Sequence, residues 1–252
     1  MQSHSYFTRI TSVTMNAYFL GIDGCRNGWI FSRIRGRRIL ELGFAERIET
    51  MWDRFKDAHL FLIDMPIGLS NANIRGCDVE ARKFLKPRSG SCVFPAPCRE
   101  VLHATGYKDA CAKNKRITGN MISRQTWNIM PKIREIDLFL SAVPDARKTF
   151  RESHPEVCFR ALYGTPVGLS KKTPEGILLR LSILKSHLDN VDEHVLNAII
   201  RFRGNGAASD DILDAMVLAV TARLANSKAF TLPQNPAKDD NGLPMEIVYA
   251  LP

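Results

Sequence analysis

The sequence predicts an α/β fold in which a mixed sheet is flanked by helices. Three observations predict this class. From Ala17 onwards, short apolar runs alternate with turn residues, and one amphipathic helical pattern lies among them. Longer helical patterns make up the C-terminal third of the chain. The chain has 252 residues, of which 45% are hydrophobic, which is an ordinary share and enough for a sizeable core.

The N-terminal part supplies most of the predicted strands, which are bounded by glycine-containing turns. We predict strands at 17–23, 29–34, 39–44 and 60–64. Gly36 marks a hairpin between the second and third strands, so the first three strands are expected to be antiparallel. Apolar residues at helical spacing predict a crossover helix over 46–57, which leads into a fourth strand parallel to the first.

The middle of the chain predicts a basic helical insertion at about 70–145, within a single domain that spans 17–252. Its helices are predicted at 78–85, 107–115 and 123–140. Beyond it we predict a strand at 149–159, broken at His154-Pro155, followed by helices at 174–188, 191–202 and 209–225. Residues 1–16 are expected to form a flexible N-terminal arm.

The net charge of +9 is concentrated in the insertion, because thirteen Lys or Arg but five acidic residues lie between Arg75 and Glu135. A solvated helical surface explains such a pattern, and so does a face that attracts nucleic acid. No apolar run approaches the ~20 residues that a membrane span needs, and residues 1–16 lack the apolar stretch of a secretory signal. Six cysteines without a CxxC pair predict a reduced, cytoplasmic protein.

Two aspartates end apolar runs that predict buried strands. Asp23 follows Phe19-Leu20-Gly21-Ile22, and Asp64 follows Leu60-Phe61-Leu62-Ile63. A buried acid is costly unless it is paired or bound to a metal ion. Each could instead initiate a turn by accepting hydrogen bonds from its own backbone. Ligand sites in open α/β sheets lie at such strand ends, so we predict that both residues are functional.

Two further aspartates, Asp211 and Asp214, open the last predicted helix. Ser209 predicts its N-cap, and acids in the first turn are also explained by the helix dipole. Asp214 lies further inside, between apolar residues, and shares a helical face with Asp211 at i, i+3. Together with the strand acids, these residues would form a carboxylate site for hard divalent cations such as Mg²⁺ or Mn²⁺.

Other polar residues could complete this site. Glu156 could add a fifth carboxylate and His154 could transfer a proton, although a kinked strand edge explains both as well. The candidates for binding substrate phosphates or bases are Lys171, Lys172, Arg75, Arg82, Arg124, Gln125 and Trp127. Arg75 and Arg82 could instead form an internal salt bridge with Asp78. Trp127 could instead be part of the hydrophobic core.

Taken together, these motifs resemble those of an uncharacterised bacterial and archaeal family of predicted RNase H-like nucleases. The resemblance rests on Gly21-Ile22-Asp23 with Gly28-Trp29, Ile63-Asp64-Met65-Pro66-Ile67-Gly68-Leu69, Arg75-x-x-Asp78-x-x-x-Arg82, Val93-Phe94-Pro95-Ala96-Pro97-x-Arg99, Ser123-x-Gln125-x-Trp127, Glu152-x-His154-Pro155-Glu156-x-x-Phe159, Lys171-Lys172-Thr173-x-x-Gly176 and Asp210-Asp211-x-x-Asp214-Ala215. It covers nearly the whole chain from Ala17, and it adds Arg99 to the candidates for substrate binding.

The resemblance implies a ribonuclease H-like mixed sheet and a role for each matching acid. Asp23 resembles the catalytic acid of the first strand, Asp64 the acid of the fourth strand, and Asp211 and Asp214 the helix acids of Holliday-junction resolvases. Those enzymes hydrolyse phosphodiesters of nucleic acid with two Mg²⁺ or Mn²⁺ ions. The second acid is often Glu in resolvases and is Asp here. Related resolvases are often dimers, so the resemblance also implies a homodimer.

Two other functions remain compatible with the sequence. Sugar kinases and actin share this fold and have a phosphate loop that resembles Asp23-Gly24-x-x-x-Gly28, although they need a second such loop and a second similar domain. A nucleic-acid-binding module without catalysis would also fit the basic insertion. It would leave the mutual repulsion of the acids without an explanation.

Overall fold

The computed structural model describes residues 17–87 and 92–252 and confirms the predicted α/β fold, a mixed sheet flanked by helices. The strands are Phe19–Cys25 (β1), Gly28–Arg35 (β2), Arg38–Ala45 (β3), Leu60–Ile63 (β4), Phe150–Glu152 (β5), Phe230–Leu232 (β6) and Ile247–Tyr249 (β7). The helices are Ile48–Phe55 (α1), Gly76–Leu85 (α2), Tyr107–Thr118 (α3), Arg124–Asn128 (α4), Met130–Ala142 (α5), Pro155–Tyr163 (α6), Pro174–Lys185 (α7), Val191–Phe202 (α8) and Ser209–Ala225 (α9). The expected arm at 1–16 lies outside the described residues.

The main sheet has the strand order β3-β2-β1-β4-β5. The first three strands in the sequence are antiparallel neighbours, as the turn at Gly36 predicts, and Gly36 has a φ of 55° that suits glycine. β4 lies parallel to β1 on one side and to β5 on the other. β6 and β7 form a separate antiparallel ribbon. The carboxyl ends of β1, β4 and β5 therefore lie side by side.

Each face of the sheet is covered by its own set of helices. Leu20 and Ile22 of β1 pack into one apolar cluster with α1 and α5, whereas Phe19 of β1 and Leu62 of β4 pack into another with α9. Val101, from the segment predicted as an insertion, belongs to the first cluster. Side chains alternate along a strand, so odd-numbered β1 residues such as Asp23 face α9. No helix in the described ranges has the length and apolarity to cross a bilayer.

Two predicted elements are wrong in detail. The strand predicted at 149–159 ends at Glu152, and α6 begins at Pro155 because proline has the right φ for a first helical turn and needs no hydrogen-bond acceptor there. The helix predicted at 123–140 is divided at Ile129 into α4 and α5. Pro131 lies in the first turn of α5, where its ring excludes a continuous helix through the preceding residues.

Candidate active site

The main-chain register of β1 and β4 brings Asp23 and Asp64 together. Ile22 pairs with Ile63, and the amide of Asp64 donates a 2.9 Å hydrogen bond to the carbonyl of Ile22. Adjacent strands lie about 5 Å apart. Asp23 is the fifth residue of β1 rather than a residue beyond its end, because β1 continues to Cys25 in a hairpin with β2. Both residues occupy positions that face α9.

The close approach of α9 to β1 depends on Gly21. A Cβ atom at Gly21 would lie 2.1 Å from the carbonyl oxygen of Ala215 and 2.2 Å from the amide nitrogen of Ala219. The helix backbone therefore rests directly on the strand, which no other residue type would allow. Asp214 immediately precedes Ala215, and Asp23 follows Gly21 by one strand repeat. This contact brings the N-terminal part of α9 to the acids of the sheet.

A cavity of about 940 Å³ opens where these elements meet. Its walls include all five predicted metal ligands, which we call the acid pocket: Asp23, Asp64, Glu156, Asp211 and Asp214. His154, Lys171 and Arg75 also line the cavity. The structure thus brings together residues that are distant in the sequence. The other predicted substrate-binding residues, which do not line it, are Arg82, Arg99, Arg124, Gln125, Trp127 and Lys172.

The carboxylates of the acid pocket are only partly satisfied by hydrogen bonds. Asp23 Oδ1 accepts a bond from the amide of Gly24, and Asp211 Oδ2 accepts one from the amide of Ala208. Asp214 Oδ2 accepts a 2.5 Å bond from Lys171 Nζ, whereas its buried Oδ1 has no partner in the described parts of the chain. Such an oxygen is costly to bury unless a cation or a donor reaches it.

Burial and mutual repulsion raise the pKa values of four aspartates. Desolvation holds the pKa of Asp23 well above its usual range, and the charges of Asp64 and Asp214 add to this rise. Desolvation also raises the pKa of Asp64 and of Asp211. It raises the pKa of Asp214 to about 7, although the nearby Lys171 opposes it. Groups with pKa values perturbed in this way are concentrated at functional sites.

Ser209 does not cap α9 as predicted. It is the first helical residue, and Ala208 precedes it at the N-cap position. Asp211 reaches back to the amide of Ala208 over 2.8 Å. One oxygen of Asp211 therefore stabilises the helix start, and its other oxygen remains available to the pocket.

Glu156 is held in a buried ion pair. The guanidinium of Arg180 binds both of its carboxylate oxygens, at 2.7 and 2.9 Å, and both side chains are buried. His154 occupies the N-cap position of α6, where its Nδ1 accepts a 3.2 Å hydrogen bond from the amide of Glu156. A neutral His154 therefore carries its proton on Nε2. Arg180 offsets the charge of Glu156 and leaves it a weaker candidate ligand than the four aspartates.

The two predicted lysines contact the first turns of α9. Lys171 Nζ lies 2.5 Å from Asp214 and 3.3 Å from Asp210, and Lys172 Nζ lies 2.7 Å from Asp210. Burial alone would lower the pKa of Lys171, but the charge of Asp214 raises it above its usual range. Lys172 is mostly exposed. Of the two, Lys171 is the cation that reaches the acid pocket.

Arg75 is fully enclosed and stabilises a second acidic group. Its guanidinium binds Glu152 and Asp78 at 2.6 to 2.8 Å, and it also donates to the carbonyls of Ile67 and Gly68. All of its donors are therefore used within the protein. This geometry matches the internal salt bridge weighed as the alternative to substrate binding.

The same group, which we call the Arg75 cluster, could hold a metal ion. Cys77, Asp78 and Glu152 each offer a ligand atom, and these atoms lie within 4.8 Å of one another. Arg75 already binds Asp78 and Glu152 as their counter-charge. Within the described ranges, no three acids of the acid pocket reach that spacing. A single ion could therefore bind three of them only if their side chains moved closer together.

The remaining candidates contact residues of the insertion and, in one case, Asp239 near the C-terminus. Arg82 donates to the carbonyl of Val93, and Arg99 pairs with Asp137 and Asp239. The guanidinium of Arg124 lies 3.7 Å from the centre of the Tyr107 ring, against which Trp127 also packs. Gln125 is exposed. These residues could meet a substrate only outside the cavity.

The cavity residues that were not predicted as site residues from the sequence include Arg26, Phe94 and Lys132. Lys132 Nζ donates a 2.6 Å bond to the carbonyl of Gly28 and lies over the ring of Trp29. A Cβ atom at Gly24 would lie 2.9 Å from Lys132 Cδ. The glycine-rich turn after Asp23 indicated a close approach to the backbone. No local pattern indicated that a lysine more than 100 residues away would make it.

Comparison with known families places most of the chain in one group. Residues 21–238 match the family described as "Protein of unknown function (DUF429)". Searches of curated proteins and of solved structures gave no match. The matched region extends from Gly21 through α9 and contains every residue of the acid pocket. The chain therefore belongs to this family of proteins of unknown function.

Proposed function

We propose that the protein is a metal-dependent nuclease with a ribonuclease H-like fold, which hydrolyses phosphodiester bonds of DNA or RNA. The observation that supports this most is the convergence of Asp23, Asp64, Asp211 and Asp214 from β1, the end of β4 and α9 in one cavity. The sheet order, with three antiparallel strands followed by two parallel ones, also supports a ribonuclease H-like assignment. A basic chain suits a polyanionic substrate.

The acid pocket fits Mg²⁺ or Mn²⁺. Its donors are carboxylate oxygens, which these hard cations prefer, and the buried Oδ1 of Asp214 lacks a partner among the described residues. Asp23, Asp64, Asp211 and Asp214 would hold the ions. When bound, two ions would supply an activated water and stabilise the leaving oxygen of the phosphodiester.

Residues around the acids have supporting roles in this proposal. The ammonium of Lys171 holds positive charge beside Asp214 and can contact a substrate phosphate from the same place. His154 is oriented by the amide of Glu156, so its Nε2 is the nitrogen that can give or accept a proton in the cavity. Arg180 binds both carboxylate oxygens of Glu156 and so holds this side chain in position at the cavity wall.

The kinase-like alternative is weakened by the surroundings of its two glycines. A Cβ atom at Gly28 would lie 2.4 Å from the carbonyl oxygen of Ala45, so this glycine is required for packing of β2 on β3. The side chain of Lys132 packs against Gly24. Neither backbone position is left open for a phosphate, as a phosphate loop would need.

A cleavage assay tests the proposal. The purified protein should cut at least one of three labelled substrates, namely branched DNA, single-stranded DNA or RNA, with Mg²⁺ or Mn²⁺ and not with EDTA. Asp23→Asn should abolish cleavage while nucleic-acid binding persists, and Asp53→Asn, at an exposed position outside the cavity, should cut normally. Stabilisation by ATP without any cleavage would favour the phosphotransferase instead. Metal-independent binding of nucleic acid without cleavage would favour a nucleic-acid-binding module without catalysis.

A further inference from the structure

Phe94 is an aromatic side chain at the wall of the cavity that leaves a large part of its surface exposed. It is 40% exposed and lines the same cavity as the acid pocket. None of the apolar clusters formed by the described residues includes it. A large apolar ring that is not used by the core is a common feature of binding surfaces.

The backbone around Phe94 is fixed on both sides of the ring. The carbonyl of Val93 accepts a bond from Arg82, the carbonyl of Pro95 accepts one from Thr126, and the amide of Ala96 donates one to the buried Asp78. Asp78 is itself held by Arg75. The ring is therefore presented from a braced segment, and little conformational entropy would be lost when a ligand packs against it.

Two of the four aspartates are buried and the other two, Asp64 and Asp211, are half-buried, which favours a flexible strand over a rigid duplex. Asp23 is 7% exposed and Asp214 is 1% exposed, so the reacting phosphate must enter the cavity to reach them. A duplex presents its phosphates on a stiff convex surface, whereas a single strand can bend inward and turn its bases outward. The volume of about 940 Å³ lies within the ~300–1,000 Å³ range of pockets that enclose small ligands.

The cations that line the cavity include Arg26, Lys132 and Lys171. Lys132 is fixed beside the β1–β2 turn by Gly28 and Trp29, and the exposed Arg26 lies in that turn. Lys171 approaches the acids from the loop that precedes α7. Positive charge therefore lies on two sides of the acid pocket, and an aromatic ring lies on its wall. This combination is typical of proteins that bind single-stranded nucleic acid.

We propose that the cavity binds single-stranded nucleic acid, with one unstacked base against Phe94 and the adjoining phosphates at Lys132 and Arg26. This inference rests on the proposed function, which identifies nucleic acid as the ligand. It adds that the nucleic acid is single-stranded and that Phe94 is the surface on which a base stacks (the base platform), neither of which the acids alone require. Stacking on Phe94 involves the base and not the sugar, so this contact does not distinguish DNA from RNA.

Binding assays with matched ligands and variants test this inference. The probe is a fluorescent oligothymidylate of about 12 nucleotides, and it is compared with its duplex, with oligouridylate and with an abasic strand of equal length. Ca²⁺ replaces Mg²⁺, since it also takes oxygen ligands but tolerates looser geometry. Phe94→Ala removes the ring, Phe94→Trp keeps an aromatic surface, and Tyr163→Ala is the control at an aromatic side chain outside the cavity, 48% exposed.

The single strand should bind at least tenfold more tightly than the duplex. Phe94→Ala should weaken single-strand binding by about 5- to 150-fold, the range expected for removing one base-stacking contact, whereas Phe94→Trp and Tyr163→Ala should bind as the wild type does. The abasic strand should bind Phe94→Ala and wild type equally. The oligouridylate arm reports whether the 2′-hydroxyl adds affinity.

Equal affinity for duplex and single strand, or an unchanged affinity in Phe94→Ala, would overturn the inference. Cleavage with Mg²⁺ is measured on the same samples to separate this outcome from failure of the proposed function. Cleavage that does not depend on Phe94 would support the proposed nuclease activity and contradict the role of Phe94 in base stacking. Phe94-dependent binding without cleavage in Mg²⁺ or Mn²⁺ would support the base platform and contradict the nuclease.

Discussion

Replacing Asp214 by Asn should stabilise the metal-free protein at neutral pH and abolish its stabilisation by Mg²⁺ or Mn²⁺. Asp214 is buried, shares its pocket with other acids, and has a pKa raised to about 7. The folded protein therefore binds this proton more tightly than the unfolded chain does. The free energy of unfolding must fall as the pH rises from about 4 towards about 7, and this loss is complete above the folded pKa.

The magnitude follows from the two pKa values. A rise from 3.8 to about 7 corresponds to roughly 4 kcal/mol of unfolding free energy, which is an upper bound because Asp214 and the neighbouring aspartates influence one another's titration. The amide of the Asp214→Asn variant cannot ionise but can still accept a hydrogen bond from Lys171. The variant should thus lose less stability than the wild type between pH 4 and pH 7, although Asp23, Asp64 and Asp211 keep part of the dependence.

Urea unfolding in EDTA across this pH range measures the effect, and Asp53→Asn serves as a control at an exposed aspartate outside the cavity. Repeating the series with Mg²⁺ or Mn²⁺ should stabilise the wild type most above pH 7, where Asp214 is ionised, and should not stabilise Asp214→Asn. Parallel pH profiles for wild type and Asp214→Asn in EDTA, or equal stabilisation of both by the ions, would refute this reasoning.

Three other substitutions test how the site is built. Gly21→Ala should destabilise the protein by about 1–3 kcal/mol or more in urea unfolding, since its Cβ would lie 2.1 Å from Ala215; unchanged stability would contradict the close packing of α9. Arg180→Met should cost about 3–5 kcal/mol because it leaves Glu156 buried without a counter-charge, and the added substitution Glu156→Gln should restore most of this loss. Lys171→Met should weaken nucleic-acid binding and steepen the loss of stability above neutral pH in EDTA; a pH profile like that of the wild type would exclude its pairing with Asp214.

The strand acids could be predicted because their signal is local. An aspartate that directly follows a run of buried apolar residues is visible in the sequence, and the parallel register of β1 and β4 then determines where Asp23 and Asp64 lie. Asp214 was visible in the same way, as an acid between apolar helix residues. The short span of β5 and the helix after it were not predicted, because His154-Pro155 fits both a kinked strand and a helix start.

The partners of the charged residues could not be predicted because they depend on tertiary contacts. Arg75 is separated from Glu152 by 77 positions, and Arg180 from Glu156 by 24. A sequence shows where each charged residue occurs, but it does not show which oppositely charged residue will be buried beside it. Lys132 illustrates the same limit, since its place beside Asp23 depends on how α5 packs on the sheet.

Anomalous X-ray diffraction from crystals soaked in Mn²⁺ tests the metal centre most directly. We predict two manganese peaks in the acid pocket, bound by Asp23, Asp64 and Asp214, and their loss in crystals of Asp23→Asn. Manganese bound only by Cys77, Asp78 and Glu152 of the Arg75 cluster, or no manganese at either place, would contradict the proposal that the aspartates of β1, β4 and α9 form a catalytic metal site.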